Sequence, residues 1–159
     1  RDLVDANPAA CAASPGCTHQ TGIDMNAFDI GCQIGTPVYA THNGSVVFVG
    51  NASSDTTGYG NHLIIKSSDQ SDIFTLYAHL KQVDVSIGTS TSTGTQIGQC
   101  GNTSSFGNKF VEHLHYELRH DQTSSLNVCD LGLYVPPGWQ VLETIDYAGT
   151  CYANKAPGL

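Results

Sequence analysis

The chain has 159 residues, which is enough for one domain with a single hydrophobic core. Its formal net charge of -8 at pH 7 excludes a nucleic-acid-binding surface, because such a surface needs cationic side chains to displace phosphate counterions. The sequence contains 17 glycines but only 1 methionine and 6 lysine and arginine residues, so short strands and turns are favoured over long surface helices.

The first predicted elements are a loop and a β-hairpin. Residues 1–18 contain two prolines and predict an N-terminal loop. The stretch "GTPVYATHNGSVVFVG", residues 35–50, predicts a short strand, a turn at His42-Asn43-Gly44 and a second strand. These two strands are expected to pair with each other.

Two further strands are predicted from "NHLIIKS" and "DIFTLYAHL", with a turn near residues 68–71. Strict alternation in the second strand sets Thr75, Tyr77 and His79 on one face, while its apolar side chains face the core. This pattern predicts that His79 lies on a polar surface beside Tyr77. Tyr77 itself either contacts substrate or packs within the sheet.

The last strand of the core is predicted from "HLHYELR", after a glycine-rich segment of tight turns and the loop "SSFGNKFVE". Alternation places His113, His115 and Glu117 on one face of this strand. Glu117 either orients His115 or is exposed to solvent. Together the predicted elements indicate an all-β fold, built as a compact antiparallel β-sheet with barrel and sandwich character.

The six cysteines are an even number without a C-x-x-C pair, which favours disulfide bonds and an oxidising compartment. We therefore expect a secreted or periplasmic protein. Six cysteines allow 15 pairings. Proximity along the chain suggests Cys11 with Cys17, Cys129 with Cys151, and Cys32 with Cys100, and thiolate metal ligands are the alternative.

The histidines and a carboxylate indicate a metal site. Histidine nitrogen and carboxylate oxygen bind Zn²⁺ well, and a catalytic zinc site uses three protein ligands and leaves one position for water. The loop "THQTGIDMN" supplies His19 and Asp24, and one member of the pair His113 and His115 completes the set. The other member of the pair and His79 then lie close to the metal without binding it.

The region from His19 to Arg119 resembles the lysostaphin-type zinc endopeptidases that cut peptidoglycan peptides. The resemblance depends on the ordered motifs "HQTGID", "GTPVYATHNGSVV", "GYGNHLIIK", "LYAHL", "GTQIGQCGNT" and "HLHYELR". It implies one Zn²⁺ per chain, a groove over the metal for an extended peptide, and an active enzyme that uses a zinc-activated water. It implies zinc ligands His19, Asp24 and His115, with His79 and His113 as the catalytic histidines.

Three features depart from the family pattern. The segment "HQTGID" carries one residue more than usual between the first histidine and the aspartate, and the stretch from Asp24 to Gly35 is longer than usual. Asp29 is an alternative to Asp24, but "GID" matches the family and Asp29 does not. The loop "SSFGNKFVE" replaces a shorter turn, so substrate preference does not carry over directly.

Other readings remain open. H-x-H followed by Glu117 is also found in cupin metal proteins, but the second cupin motif is missing. A non-catalytic module that binds the cell wall or activates a hydrolase is the other alternative. His42, His62 and His120 are predicted to be surface or locally bonded residues.

The predicted organisation is an N-terminal loop at 1–18, a zinc peptidase core at 19–125, and a C-terminal extension at 126–159 packed on the same domain. The expected partner is a peptidoglycan peptide substrate. We expect neither nucleic acid nor a membrane span, since no apolar run is long enough to cross a bilayer. The expected oligomeric state is a monomer.

Overall fold

A computed structural model describes residues 27–107 and 110–119, together with the backbone of 125–126. This part of the chain forms two antiparallel sheets and contains no helix, which confirms the all-β prediction. Consequently, none of it is a helix suited to crossing a membrane. The predicted N-terminal loop and nearly all of the C-terminal extension lie outside it.

The ten strands are β1 (Phe28–Gly31), β2 (Pro37–Tyr39), β3 (Gly44–Gly50), β4 (His62–Ser67), β5 (Phe74–Ala78), β6 (Gln82–Val83), β7 (Ser90–Thr91), β8 (Gln96–Gln99), β9 (His113–Arg119) and β10 (Ser125–Leu126).

The larger sheet has seven strands in the order β1-β9-β5-β4-β3-β7, and β10 also pairs with β9. Strands β4 and β5 form a hairpin across the predicted turn. The apolar side chains of "HLIIK" and "FTLYA" suit them for buried positions on both faces of a central sheet. Strand β9 then lies between β5 and β1, so the H-x-H motif occupies an interior strand.

The smaller sheet has the order β2-β8-β6. The predicted hairpin of β2 with β3 is therefore wrong, because β2 pairs with β8 while β3 pairs with β4 and β7. The turn residues do lie between the two strands, but the chain uses them to pass from one sheet to the other. Local turn chemistry fixed where the strands end without fixing their partners.

The main core contains buried side chains from both sheets. Branched and aromatic residues on the inner faces of β4, β5 and β9 meet apolar residues from β2 and β8. Burying them removes apolar surface from water, which stabilises the fold by about 25 cal/mol per Å². The buried cluster consists of Ile30, Val38, Ala40, Val46, Leu63, Ile65, Tyr77, Leu80, Ile97, Cys100, Leu114 and Tyr116.

A disulfide bond joins Cys32 to Cys100, with a sequence separation of 68 residues. This confirms the predicted pairing for these two residues and excludes them as thiolate metal ligands. Cys32 directly follows β1 and Cys100 directly follows β8, so the bond connects the edge strand of one sheet to the other sheet. The other four cysteines lie outside the described residues.

A buried set of hydroxyl groups crosses this core. The Tyr77 hydroxyl accepts a hydrogen bond from the backbone N–H of Thr41 at 3.0 Å, and the Thr41 hydroxyl lies 2.9 Å from Tyr77 Oη and 3.1 Å from Tyr116 Oη. Tyr77 and Tyr116 also pack edge to face. Tyr77 is only 1% exposed, so it packs within the sheet and does not contact substrate.

Replacing Tyr77 by phenylalanine should lower the free energy of unfolding by about 1–3 kcal/mol, because the buried Thr41 N–H loses its acceptor. Urea unfolding followed by circular dichroism measures this change. Tyr39→Phe is the matched control, since Tyr39 is 47% exposed and should show no loss. Equal midpoints for both variants would contradict the assigned role of Tyr77.

Candidate active site

The face of the large sheet that turns away from the main core carries the histidines of β9. The register pairs Ala78 with His115 and Tyr77 with Tyr116. Neighbours in register project to the same face, so His115 lies on the face opposite the Tyr77–Tyr116 pair. The predicted alternation of His113, His115 and Glu117 along β9 is confirmed.

His79 reaches this same face by leaving the strand pattern. Its φ is 58°, in the left-handed region that non-glycine residues rarely adopt. Strand β5 ends at Ala78, and His79 turns its ring to within 4.7 Å of the His113 ring and 5.4 Å of the His115 ring, measured between centroids. The prediction that His79 shares a face with Tyr77 is therefore wrong, because alternation stops one residue earlier.

Close backbone packing holds His79 in this conformation. Its N–H donates to Tyr59 O at 2.9 Å, and its carbonyl accepts a hydrogen bond from Thr103 N–H. Gly101, which forms an isolated bridge with His113, permits the approach, since a Cβ at Gly101 would lie 2.2 Å from Lys81 N. Backbone strain of this kind is typical of functional sites.

Asp29 is the carboxylate beside these histidines in the described structure. It pairs with His115 in the β1–β9 register, and its Oδ1 lies 3.1 Å from His115 Nδ1 and 3.5 Å from His113 Nε2. The sequence signal was the alternation of Asp29 with two apolar residues in "FDI", which indicates a short strand with Asp29 on its polar face. His19 and Asp24 lie outside the described residues and stay predictions.

His79 and His113 share one protonation pattern. Nδ1 of His79 lies 2.9 Å from the carbonyl oxygen of Thr103, and Nδ1 of His113 lies 2.6 Å from that of Val111. A carbonyl oxygen only accepts, so each Nδ1 carries the proton. Each neutral ring therefore keeps the lone pair on Nε2, and that nitrogen can accept a proton from a reacting group.

His115 has the opposite arrangement. Its Nε2 donates to Oε1 of Glu117 at 2.8 Å, which leaves Nδ1 on the side of Asp29. Glu117 is fully buried, so it orients His115 and is not exposed to solvent. The second carboxylate oxygen of Glu117 accepts from Arg119 Nε at 2.9 Å, and Arg119 Nη2 donates to the Tyr59 hydroxyl at 2.8 Å.

Burial and charge set the protonation of these groups. Burial, together with the charges of the neighbouring His115 and His113, lowers the pKa of His79 to about 3. Burial opposes the charged form of His115, but hydrogen bonds and charges from Asp29 and Glu117 outweigh it and raise the pKa of His115. Burial likewise works against ionised Glu117, yet His115 and Arg119 lower the pKa of Glu117 to about 2.

Aromatic rings surround the histidines. The exposed side of His79 contacts the Phe110 ring at 4.5 Å between centroids, and Phe110 is 37% exposed. Tyr59 packs on His115 at 5.4 Å and on His62 at 5.5 Å. His62 in turn stacks on Phe48. Phe110 and Phe48 expose apolar surface in this region, whereas Tyr59 and His62 are buried.

Tyr59 is positioned by a loop with its own carboxylate. Asp55 accepts hydrogen bonds from the backbone N–H groups of Gly58 and Gly60, which flank Tyr59. Burial raises the pKa of Asp55, but hydrogen bonds from Thr57 and Gly60 outweigh it and lower that pKa to about 2. The loop is therefore closed by an ionised carboxylate at neutral pH.

The other two described histidines are locally bonded, as predicted, although both are buried. Nδ1 of His62 donates to Gly60 O at 2.8 Å. His42 uses Nδ1 toward Asn43 O and Nε2 toward the Thr75 hydroxyl, each at 2.9 Å. Neither belongs to the cluster formed by His79, His113 and His115. His120 lies outside the described residues.

The donor atoms of the described residues meet the requirements of zinc only in part. Among residues 27–107 and 110–119, no three His, Cys, Asp or Glu side chains converge closely enough to hold a metal ion. Asp29 and His115 do fit as a pair, because adjacent ligands of tetrahedral zinc lie about 3.3 Å apart when each is about 2.0–2.1 Å from the metal, and their donor atoms are 3.1 Å apart. A third ligand would come from outside the described residues.

The sequence of the chain is similar to that of several known proteins. Residues 22–127 match the model of Peptidase family M23. The chain is 37% identical over 109 residues to an uncharacterized lipoprotein, YgeR of Escherichia coli, covering 69% of this chain and 38% of that protein. It is 38% identical over 93 residues to peptidoglycan DD-endopeptidase ShyA of Vibrio cholerae, covering 58% of this chain and 20% of ShyA. It is 35% identical over 92 residues to murein hydrolase activator NlpD of Escherichia coli, covering 58% of this chain and 22% of NlpD. The chain thus spans well under half the length of these relatives.

Solved structures show the same fold. The catalytic domain of the antimicrobial peptidase lysostaphin from Staphylococcus simulans superposes with a TM-score of 0.58 at 25% identity, covering 67% of this chain and 77% of that domain. A zinc-containing peptidase from Vibrio cholerae superposes with a TM-score of 0.51 at 33% identity, covering 59% of this chain and 26% of its own. The described β-sheet core is therefore the part shared with these peptidases.

Proposed function

The chain belongs to peptidase family M23, and from this premise we propose that it is an extracytoplasmic zinc endopeptidase that hydrolyses the peptide cross-links of peptidoglycan. The Cys32–Cys100 disulfide supports a secreted or periplasmic location, since such bonds persist in oxidising compartments. The name of the relative ShyA supports a peptidoglycan substrate.

The observation that carries the proposal is the meeting of Asp29 with three histidines from two separate strand ends. His115 presents Nδ1 to Asp29, while His79 and His113 stand beside them, each with Nδ1 bonded to a backbone carbonyl. His42, by contrast, uses both of its ring nitrogens in local hydrogen bonds. Three buried histidines around one carboxylate instead suit a metal site with two nearby proton acceptors.

Asp29 and His115 would hold the zinc ion, with His19 as the third ligand that the family resemblance implies. Bound zinc supplies Lewis acidity, which polarises a carbonyl group and makes water a nucleophile at neutral pH. Asp24 is the alternative carboxylate from the resemblance, and Asp29 is favoured because it lies against His115.

His113 and His79 take different parts in the reaction. Nε2 of His113 is the proton acceptor for the attacking water, because Nδ1 is held by the Val111 carbonyl and Nε2 lies beside Asp29, 3.5 Å from its Oδ1. His79 is neutral at all physiological pH values, since its pKa is about 3. With the proton on Nδ1, His79 Nε2 accepts a hydrogen bond from the water and orients it.

A second function is supported by the relative NlpD, whose name is murein hydrolase activator. In that case the chain binds peptidoglycan or another hydrolase through this face of the sheet without cutting a bond. The presence of both His79 and His113 favours the enzyme.

Digestion of purified peptidoglycan tests the proposal. The full chain, with zinc removed by a chelator and then restored, is incubated with one peptidoglycan that has direct cross-links and one that has bridging peptides, and the fragments are identified by mass spectrometry. We expect cleavage of one defined amide bond that chelation abolishes and zinc restores. Hydrolysis that persists in excess chelator would overturn the zinc mechanism.

His113→Ala separates the enzyme from the activator. This variant should bind zinc like the wild type but lose at least about a hundredfold in hydrolysis, the usual contribution of a general base. If wild-type chain saturated with zinc leaves both polymers intact and instead stimulates a separate wall hydrolase, the activator is the correct function.

A further inference from the structure

We infer that Glu117, Arg119 and Tyr59 form a buried positioning relay that fixes which nitrogen of His115 faces the metal site. The inference rests on the proposed zinc function and names the residues that prepare its ligand. None of the three contacts the reacting atoms, so each acts through His115. The relay is defined by three contacts: His115 Nε2 to Glu117 Oε1, Arg119 Nε to Glu117 Oε2, and Arg119 Nη2 to Tyr59 Oη.

Geometry leaves Glu117 little freedom. Each of its carboxylate oxygens has a charged or polar partner, at 2.8 Å on the His115 side and 2.9 Å on the Arg119 side. Glu117 has no exposed surface and Arg119 has 3%. A carboxylate held at both oxygens in a buried place cannot rotate without breaking a strong, charge-assisted hydrogen bond.

Arg119 is fixed in turn by Tyr59. Its guanidinium carbon lies 5.5 Å above the Tyr59 ring while Nη2 donates to the hydroxyl of the same residue. The Tyr59 ring also packs on His115 at 5.4 Å between centroids. Tyr59 therefore contacts both ends of the relay, and the three side chains and His115 form a closed ring of contacts.

This closed ring determines the ligand atom. Ionised Glu117 is acceptor-only, so His115 must place a proton on Nε2. Nδ1 faces the Asp29 carboxylate at 3.1 Å and donates to it in the metal-free protein, so Nδ1 is the nitrogen that would release its proton to bind a metal held by Asp29. A histidine ligand whose other nitrogen donates to a carboxylate is oriented and made more basic, and losing such a carboxylate typically lowers metal affinity 10–100-fold.

Glu117→Gln tests the relay in the full chain, by competition for zinc with a chromogenic chelator. We expect the zinc Kd to rise about 10–100-fold, because an amide in place of the carboxylate cannot accept from both partners. Glu112→Gln is the matched control: Glu112 precedes β9, is exposed, and should leave Kd within about twofold of wild type. Tyr59→Phe removes only one hydroxyl and should raise Kd about threefold.

The second measurement is the ¹⁵N spectrum of the His115 ring in the metal-free protein, which reports the proton on Nε2. Its Nε2 signal should shift in Glu117→Gln and stay unchanged in Glu112→Gln. An unchanged Kd in a folded Glu117→Gln variant would overturn the relay and leave the proposed function standing. A wild-type chain that binds no zinc would overturn the proposed function. In that case the ring spectrum decides the relay, because an Nε2 signal that does not shift in Glu117→Gln rejects it. If Glu117→Gln does not fold, Tyr59→Phe replaces it in both measurements. A zinc Kd and a ring spectrum equal to those of the wild type would then reject the relay.

Discussion

Replacing Asp29 by alanine should abolish stoichiometric zinc binding and lower hydrolysis about a thousandfold, equivalent to about 4 kcal/mol of transition-state stabilisation. The physical reason is that Asp29 Oδ1 is the carboxylate oxygen next to His115 Nδ1, at 3.1 Å. Removing it leaves His115 without its partner at the metal site. Zinc content by atomic absorption and the rate of peptidoglycan cleavage measure the two effects.

Asp24→Ala is the decisive companion to this variant, since the family motif points to Asp24 and the described structure points to Asp29. We expect Asp24→Ala to keep most of its zinc and activity. The reverse result, with zinc lost in Asp24→Ala and retained in Asp29→Ala, would return the ligand role to Asp24. His19→Ala tests the third ligand in the same assay.

Removing the Cys32–Cys100 disulfide should produce the largest loss of stability. Closing a loop across 68 residues of separation reduces the entropy of the unfolded chain, which corresponds to about 4 kcal/mol in the chain-entropy model. The double variant Cys32→Ala with Cys100→Ala should therefore unfold about 10 °C below the wild type in calorimetry. Because Cys32 directly follows the strand that carries Asp29, zinc affinity should fall as well.

Reductant provides the control for this prediction. Added to the wild type, it should lower the melting temperature toward that of the double variant. Added to the double variant, reductant changes the melting temperature only through the other four cysteines. A double variant that melts with the wild type would show that the core alone sets the stability.

Local pattern was sufficient for strand β9. Leu114, Tyr116 and Leu118 alternate with His113, His115 and Glu117 on opposite faces as the period of two requires, although both sets are buried. The same reasoning failed at His79, where one left-handed residue ends the strand pattern. No periodicity in the sequence marks that change, because hydrogen bonds from distant segments around Tyr59 and Thr103 hold it.

Long-range pairing explains the other differences. The turn before β3 predicts a hairpin, but β2 finds its partner in β8, nearly 60 residues later in the chain. Asp29 becomes a neighbour of His115 through a pairing with a separation of 86 residues. The family motif predicts Asp24 as the ligand, while the strand register places Asp29 opposite His115. Such pairings depend on the whole core, so short windows of sequence do not contain them.

Strands β1 and β10 share one edge of β9, since β5 occupies the other. Phe28 pairs with Tyr116 and Leu126 pairs with Leu118, so the backbone enters and leaves the described sheet two β9 positions apart, about 7 Å. A unit whose two ends emerge side by side can be spliced into an exposed loop of a host protein without stretching either junction. The positions of β1 and β10 therefore suit the described sheet to insertion into a loop of a host protein as much as to end-to-end fusion.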